Sequence, residues 1–252
     1  MIKGINYTTD GRLVNVDFPK GKKCIQLQGT NIDKNTTISV IERLLASDFS
    51  TYYNDFDIQK GLEYYTGISR AFIEFDNGTI TYEKDSVIKR SKTKRNFYCV
   101  RSVDSVSIRS FISPVTSESV PNNFGVSLIE YSSVLSKTSW MRLEQLYNSI
   151  VGFNAVKIDT KYKTIDFNFE NSLGWTEEAL KMIYLLVSES YLSSTRGIRV
   201  ILLSNMDCFD REQFSKLLYG LLRIGNLDTI IFENDFNAGY ADLFSISGIA
   251  HV

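Results

Sequence analysis

The sequence has 252 residues, of which 43% are hydrophobic and 23% are charged, and its formal net charge at pH 7 is −1. These proportions are typical of a globular protein with a buried core and unlike those of a disordered chain. No apolar run approaches the roughly 18 to 20 residues of a membrane helix, and the first residues lack the apolar segment of a signal peptide. We therefore expect a cytoplasmic protein without membrane contact, whose binding to nucleic acid would require a local basic patch.

Histidine and cysteine usage argues against several kinds of active site. The chain has one histidine, His251, next to its last residue, so we expect neither a Ser/His/Asp triad nor a histidine-rich zinc site. The three cysteines, Cys24, Cys99 and Cys208, are odd in number and widely spaced, which fits reduced thiols better than a disulfide framework. We predict no metal site.

The beginning of the chain predicts two strands and then a helix. Residues 13–16 and 24–27 form short alternating runs on either side of a polar turn, a pattern typical of strand, turn and strand. A run with apolar residues at helical spacing follows and predicts a helix that begins near Asn35. The residues that we expect this helix to bury include Ile38, Ile41 and Leu45.

The middle of the chain changes to a period of two. Between residues 67 and 112, alternating apolar positions flank an Asn-Gly pair at 77–78, the strongest short signal for a β-hairpin, and predict a mainly antiparallel β lobe. Residues 139–151 then predict a helix, and residues 155–169 predict a hairpin.

The last third predicts a parallel sheet. Thr176 is a predicted N-cap before an apolar helix, and residues 198–203 form a strand that is apolar on both faces. Asp210 precedes a predicted helix that runs through Arg223, and the apolar strand at residues 228–233 follows it. The region from about 172 to 235 therefore contains a β-α-β unit.

This order of elements resembles the head domain of ABC-type ATPases of the RecF, SMC and OLD-like group. Members of the group act in DNA repair, chromosome handling and phage defence. The resemblance covers most of the chain and implies a P-loop NTPase-like α/β sandwich with an antiparallel β lobe. We expect a single domain over residues 1–252 without a coiled-coil arm.

The phosphate loop of this family has the pattern G-x-N-G-x-G-K-[ST]-[ST], which aligns with the segment GTNIDKNTT. The matching residues are Gly29, Asn31, Thr36 and Thr37. Ile32 and Lys34 replace glycines that allow backbone N–H groups to surround a phosphate, and Asn35 replaces the lysine that contacts it. Lys34 lies one residue early, so a helical rotation of about 100° should direct its ammonium elsewhere. We predict a vestigial phosphate loop that binds neither ATP nor Mg²⁺.

Two further motifs of the family lack their charged residues. Ser204 and Asn205 stand where the resemblance places the Walker B carboxylates, which hold Mg²⁺ and polarise water. Asn234 stands at the position of the histidine that senses the γ-phosphate. Because phosphoryl transfer needs these groups, we predict no catalytic residues.

The segment SLGWTEE resembles the signature region of the family, since it keeps Ser172 and Gly174, although Trp175 follows them. Asp210 has two interpretations. It corresponds to the D-loop aspartate of the family if one residue is deleted, or it is simply the N-cap of the next helix, which we favour.

A basic segment lies inside the predicted β lobe. Its cations, beside the aromatic Phe97 and Tyr98, include Lys89, Arg90, Lys92, Lys94 and Arg95. Such a cluster either binds a nucleic-acid backbone or forms a solvated loop between strands.

We accordingly expect a non-catalytic, pseudo-ATPase-like protein that serves as a structural or regulatory subunit of a larger assembly, through a protein partner or self-association. The alternative is a DNA repair or recombination ATPase that binds DNA and needs a partner to complete its nucleotide site.

Overall fold

The structure is a computed structural model. It describes residues 1–46, 67–84, 89–91, 97–101, 137–159, 161, 164–168, 174–193, 198–204, 206, 208–233 and 247–252. Its elements in chain order are β1 (Ile2–Thr9), β2 (Arg12–Asp17), β3 (Cys24–Gln28), α1 (Asn31–Ala46), β4 (Ile68–Phe75), β5 (Gly78–Glu83), β6 (Lys89–Ser91), β7 (Phe97–Arg101), α2 (Lys137–Val151), β8 (Val156–Asp159), β9 (Thr164–Phe167), α3 (Glu177–Ser193), β10 (Ile198–Leu203), α4 (Arg211–Leu222), β11 (Leu227–Phe232) and β12 (Ser247–His251).

Internal contacts divide the chain into two compact units. The first comprises Met1–Arg101, Arg196–Ser204 and Asn226–Val252, and the second comprises Ser102–Thr195 and Asn205–Gly225. The single domain predicted over residues 1–252 stays a prediction.

An antiparallel five-stranded sheet forms one layer of the first unit, in the order β2-β1-β4-β5-β6. The hairpin predicted around residues 77–78 is confirmed, since β4 pairs with β5 from Arg70–Glu83 to Phe75–Gly78. Alternating burial along β4 and β5 places Ile73 and Tyr82 in the core. The antiparallel layer is thus larger than predicted, because β1 and β2 belong to it.

The extent of the predicted lobe is partly wrong at its carboxyl end. β7 leaves the antiparallel sheet and pairs in parallel with β10, with Cys99 opposite Val200. Strand propensity alone does not specify which sheet a strand joins, because that depends on distant partners. Residues 102–112 of the predicted lobe lie outside the described residues.

A parallel five-stranded sheet forms the other layer, in the order β12-β3-β11-β10-β7. Ile230 of β11 lies opposite both Ile201 of β10 and Cys24 of β3. The parallel sheet predicted from the last third of the chain is therefore confirmed, and it also contains β3. The strands predicted from residues 13–16 and 24–27 exist as β2 and β3, but they belong to different sheets.

The core of the first unit lies around α1, between the two sheets. Side chains from α1, the antiparallel sheet and the parallel sheet form one buried cluster. The predicted inward face of the helix is confirmed, because Ile38 and Ile41 are 0% exposed and Leu45 is 1% exposed. This burial stabilises α1 independently of any ligand at its N-terminus.

The second unit contains α2, α3, α4 and the β8–β9 hairpin. The predicted helix at 139–151 and hairpin at 155–169 are confirmed, apart from small differences at their ends. The side-chain amide of Asn148 joins them, because its Nδ2 donates to Val156 O and its Oδ1 accepts from Val156 N, both at 3.0 Å. None of the helices in the described ranges combines the length and hydropathy that a membrane crossing requires.

Candidate functional site

The turn between β3 and α1 lies at the carboxyl edge of the parallel sheet. β3 ends at Gln28, and Gly29 and Thr30 connect it to the first residue of α1, Asn31. Neighbouring parallel strands end at the same edge of a sheet, which is where open α/β sheets bind their ligands. The segment predicted to be a vestigial phosphate loop therefore occupies a position where a ligand site would be expected.

The start of α1 corrects the sequence prediction, because the helix begins at Asn31 and not near Asn35. The amide of Lys34 donates to Thr30 O at 3.0 Å, which is the first helical hydrogen bond. Thr30 Oγ1 accepts from the amide of Asp33 at 3.2 Å and donates to its carboxylate at 2.7 Å. Thr30 is therefore the N-cap of α1. The T-x-x-D pattern at residues 30–33 is the sequence signal that could have located this start of the helix.

The early start of the helix removes the loop that would surround a phosphate. A phosphate loop requires successive N–H groups that point into one space, whereas the amides of Asp33 and Lys34 are already bonded to Thr30. Asp33 also places a carboxylate in the first turn, where it complements the positive end of the helix dipole. Arg12 Nη1 lies 4.0 Å from that carboxylate. The local charges at the helix N-terminus are thus balanced by the chain itself.

Lys34 and Asn35 point in different directions, as the helical rotation between them predicts. Lys34 is only 2% exposed, and its Nζ donates to the main-chain oxygen of Glu233 at 3.3 Å. Asn35, at the position of the family lysine, is exposed. The ammonium of Lys34 therefore forms a hydrogen bond inside the protein, with the residue that follows β11.

The turn itself requires Gly29. A Cβ atom at this position would lie 2.6 Å from the carbonyl oxygen of Val252. Val252 also donates its amide to Gln28 O at 2.9 Å, so the backbone that follows β12 runs directly beside the turn. Glycine is therefore explained here by close backbone approach, without a phosphate.

The other residues of the predicted vestigial site have different environments. Asn31 is exposed at the start of α1, and Thr36 is half-buried. Thr37 is buried, and its hydroxyl donates to Asp33 O at 2.8 Å and lies 3.0 Å from the hydroxyl of Tyr7. No local pattern in the sequence links Tyr7 to Thr37, so this pair was not predicted. Burial raises the pKa of the Tyr7 hydroxyl, which therefore acts as a neutral hydrogen-bonding group.

The carboxyl end of β10 carries no carboxylate in the described residues. Ser204 is buried directly after the strand, whereas the predicted Asn205 and Asn234 positions lie outside the described residues. Among the side chains that the structure describes, no group of three or more acidic, cysteine or histidine residues could hold a metal ion.

In the second unit, Asp210 is an N-cap, which confirms the interpretation that the sequence favoured. Its carboxylate accepts from the amide of Gln213 at 2.8 Å, and Gln213 Oε1 accepts from the amide of Asp210 at 3.1 Å. Gln213 Nε2 also donates to Gly174 O at 3.2 Å, which joins α4 to the turn before α3. Thr176 caps α3 as predicted, because its hydroxyl accepts from the amide of Ala179 at 3.1 Å.

Trp175, the unusual residue of the signature-like segment, has a structural role in the second unit. Its indole N–H donates to Val151 O, the last residue of α2, at 3.0 Å. Its ring meets that of Phe209 edge to face, with centroids 6.4 Å apart. Ser172 lies outside the described residues.

The basic segment is described only in part. Lys89 and Arg90 lie on β6, with backbone positions opposite Thr81 and Ile80. The predicted Lys92, Lys94 and Arg95 lie outside the described residues, so nucleic-acid binding by this segment stays a prediction.

No model of a known protein family matches this sequence, and no curated protein matches it either. Among solved structures, the fold is similar to an SMC head bound to the C-winged helix domain of ScpA. The sequences are 10% identical, the match covers 92% of this chain and 89% of that chain, and the TM-score is 0.53. This similarity supports an ATPase-head-like α/β fold.

Two further structures match this chain. One is the recombination mediator protein RecF with ATP, at 15% identity, 94% coverage of both chains and a TM-score of 0.47. The other is Stu0660 of Streptococcus thermophilus, at 12% identity, with 98% of this chain and 74% of that chain covered and a TM-score of 0.44.

Proposed function

We propose that this protein is a non-catalytic relative of ATPase heads, located in the cytoplasm, that acts as a structural or regulatory subunit through contacts with another protein. The observation that carries the proposal is the start of α1 at Asn31, with Thr30 and Asp33 forming its cap. The SMC head that this fold resembles is bound to a domain of another protein, ScpA, which supports a protein-binding role.

The electrostatics of the β3–α1 turn support the lack of nucleotide binding. A phosphate at the N-terminus of α1 would meet the carboxylate of Asp33, and like charges about 4 Å apart repel by about 1 to 4 kcal/mol, depending on the effective dielectric constant. Binding would also have to break the hydrogen bond between Thr30 and Asp33. The segment GTNIDKNTT is thus a vestigial phosphate loop whose flanking strand and helix belong to the core.

The lysine and the carboxylates that assist phosphoryl transfer in the ATPase family are replaced in this sequence by uncharged residues. Asn35 replaces the lysine, and the neighbouring ammonium, on Lys34, is buried against Glu233 O. Ser204 and Asn205 replace the carboxylates that would hold Mg²⁺. Without these charges the transition state of phosphoryl transfer lacks the stabilising partners that the family uses.

Binding of Mg²⁺-ATP to the purified protein tests the first part of the proposal. We expect no binding by calorimetry at micromolar ATP. We also expect micromolar ATP to raise the unfolding free energy by no more than about 0.4 kcal/mol, which is the gain from a ligand at its dissociation constant. Asn35→Lys should not create hydrolysis, because the Walker B carboxylates would still be missing. Micromolar ATP binding with turnover that is abolished in Thr36→Ala would contradict the proposal and favour the DNA repair ATPase.

The second part of the proposal is tested by recovery of the protein from its native source under gentle cross-linking. A stoichiometric protein partner, or a defined homo-oligomer by native mass spectrometry, is the expected result. A monomer that recovers DNA but no protein would favour the alternative function.

A further inference from the structure

The first turn of α1 is held by a side-chain cap and by a contact with the residue that follows β11. The first amides of a helix lack partners within the helix, and terminal turns commonly open at little cost in free energy. Here the Asp33 amide donates to Thr30 Oγ1, and the Asp33 main-chain oxygen accepts from Thr37 Oγ1. The Lys34 ammonium adds a hydrogen bond to another element, at Glu233 O.

Lys34 makes that hydrogen bond from a buried position. A lysine ammonium is strongly hydrated in water, so it remains inside a protein only where it has hydrogen-bond acceptors. Lys34 is 2% exposed, and its Nζ lies 3.3 Å from the acceptor, the main-chain oxygen of Glu233. Unwinding the first turn would return the ammonium to water and break this hydrogen bond.

The residue after β11, Glu233, contacts both β10 and α1 through its main chain. The amide of Glu233 donates to Leu203 O at 3.3 Å, the same length as the Lys34 contact, and both are slightly longer than the usual range of about 2.7 to 3.2 Å. Its carbonyl oxygen is the group that accepts from Lys34. The residue that extends β11 is therefore held on one side by β10 and on the other by α1.

We infer that the first turn of α1 and the end of β11 form a latch that opens and closes as one unit, with Lys34 as its link. In the closed state the ammonium is buried on Glu233 O, and in the open state it is hydrated while both segments become less protected. Any binding event that unwinds the turn therefore also releases the residue that follows β11. The latch goes beyond the proposed function, because it operates whether or not a nucleotide binds.

Amide hydrogen exchange of the intact chain, detected by NMR, tests the latch. Lys34→Met keeps an apolar chain as long as the aliphatic part of lysine and removes the ammonium. We expect it to raise the exchange rates of the Asp33 and Glu233 amides together, by about tenfold, as the loss of one hydrogen bond allows, while the Ile231 amide in the middle of β11 keeps its rate. The matched control is Asn35→Met, which introduces the same side chain at the exposed neighbouring position and should change neither amide.

The result that would overturn the latch is faster exchange at Asp33 with Glu233 unchanged. If Lys34→Met does not fold, native-state exchange of the unaltered protein in increasing denaturant decides the question. The Asp33 and Glu233 amides should then share one opening free energy and one denaturant slope, distinct from those of Ile231. A Glu233 amide that exchanges with Ile231 and not with Asp33 would also overturn the latch.

Discussion

The hydroxyl oxygens of Tyr7 and Thr37 lie 3.0 Å apart inside the first unit and join β1 to α1. Thr37 also donates to Asp33 O at 2.8 Å, whereas Tyr7 lies 3.5 Å from the same oxygen. The Thr37 hydroxyl can donate only one proton. Tyr7 therefore donates to Thr37. The two hydrogen bonds connect β1 of the antiparallel sheet to Thr37 and Asp33 in the first two turns of α1.

Removing the Tyr7 hydroxyl and removing the Thr37 hydroxyl should each lower the free energy of unfolding, and the second change should lower it more. Tyr7→Phe removes a donor and leaves Thr37 bonded to Asp33, so we expect a decrease of about 0.5 to 1.5 kcal/mol. Thr37→Val leaves the Tyr7 hydroxyl buried without its best acceptor, so we expect about 1 to 3 kcal/mol. In urea unfolding, the double variant should be destabilised by less than the sum of the two. Strict additivity would contradict the coupling.

The N-cap of α4 should contribute measurably to the stability of the second unit. Asp210→Ala removes the acceptor of the Gln213 amide and should cost about 0.5 to 2 kcal/mol by thermal or urea unfolding. Asp210→Asn keeps an acceptor oxygen and should retain most of that free energy. An Asn variant as unstable as the Ala variant would mean that the carboxylate charge, and not the cap, matters at this position.

Gly220 on α4 allows close packing against Ile150 of α2, because an added Cβ would overlap the Cγ1 and Cδ1 atoms of Ile150. Gly220→Ala should destabilise the protein by about 1 to 3 kcal/mol through overpacking, although alanine favours helices by up to about 1 kcal/mol. Adding Ile150→Val should recover part of that stability. Gly225→Ala is the matched control, since nothing lies within 4 Å of its added Cβ. Equal effects of the two alanines would contradict the packing argument.

The Cys24 thiol should resist alkylation in the native protein. It is 0% exposed, and burial raises its pKa to about 12 from the value of 9.0 for an unperturbed thiol. Iodoacetamide at pH 8, with peptide mass spectrometry, should label the partly exposed Cys208 well before Cys24. Rapid labelling of Cys24 without unfolding would contradict its burial.

The same raised pKa predicts a pH dependence of stability. The unfolded thiol loses its proton near pH 9 and the folded thiol near pH 12, so ionisation favours the unfolded chain between these values. The stabilising effect is therefore complete below pH 9 and declines progressively as the pH rises toward 12. Cys24→Ala should show a shallower decline in unfolding free energy than the unaltered protein between pH 9 and the folded pKa of about 12.

The basic segment remains a testable nucleic-acid site. If it binds duplex DNA, joint neutralisation of Lys89, Arg90, Lys92, Lys94 and Arg95 should weaken binding. It should also reduce the slope of log affinity against log salt by about 0.9 for each phosphate that the protein no longer neutralises. Fluorescence anisotropy at several salt concentrations measures both quantities. Equal binding by the altered and unaltered proteins would favour the solvated-loop interpretation.

The sequence by itself determined the features that depend on neighbouring residues. The hairpin at 77–78, the Asp210 cap and the apolar strands β10 and β11 were predicted, because turn chemistry, capping and burial on both faces leave local patterns. The inward residues of α1 were also predicted from their helical period. The true beginning of α1 also left a local signal, the Thr30–Asp33 pattern, inside the segment that resembles a phosphate loop.

Only the tertiary structure decided which distant segments meet. It placed β7 in the parallel sheet, added β1 to the antiparallel sheet and β12 beside β3, and brought Lys34 to Glu233 and Tyr7 to Thr37. Strand propensity describes a residue's fit to a pleated surface and not the partner strand. A buried hydrogen bond likewise forms wherever the fold brings a donor to an acceptor. These interactions join residues far apart in the chain, so no local pattern encodes them.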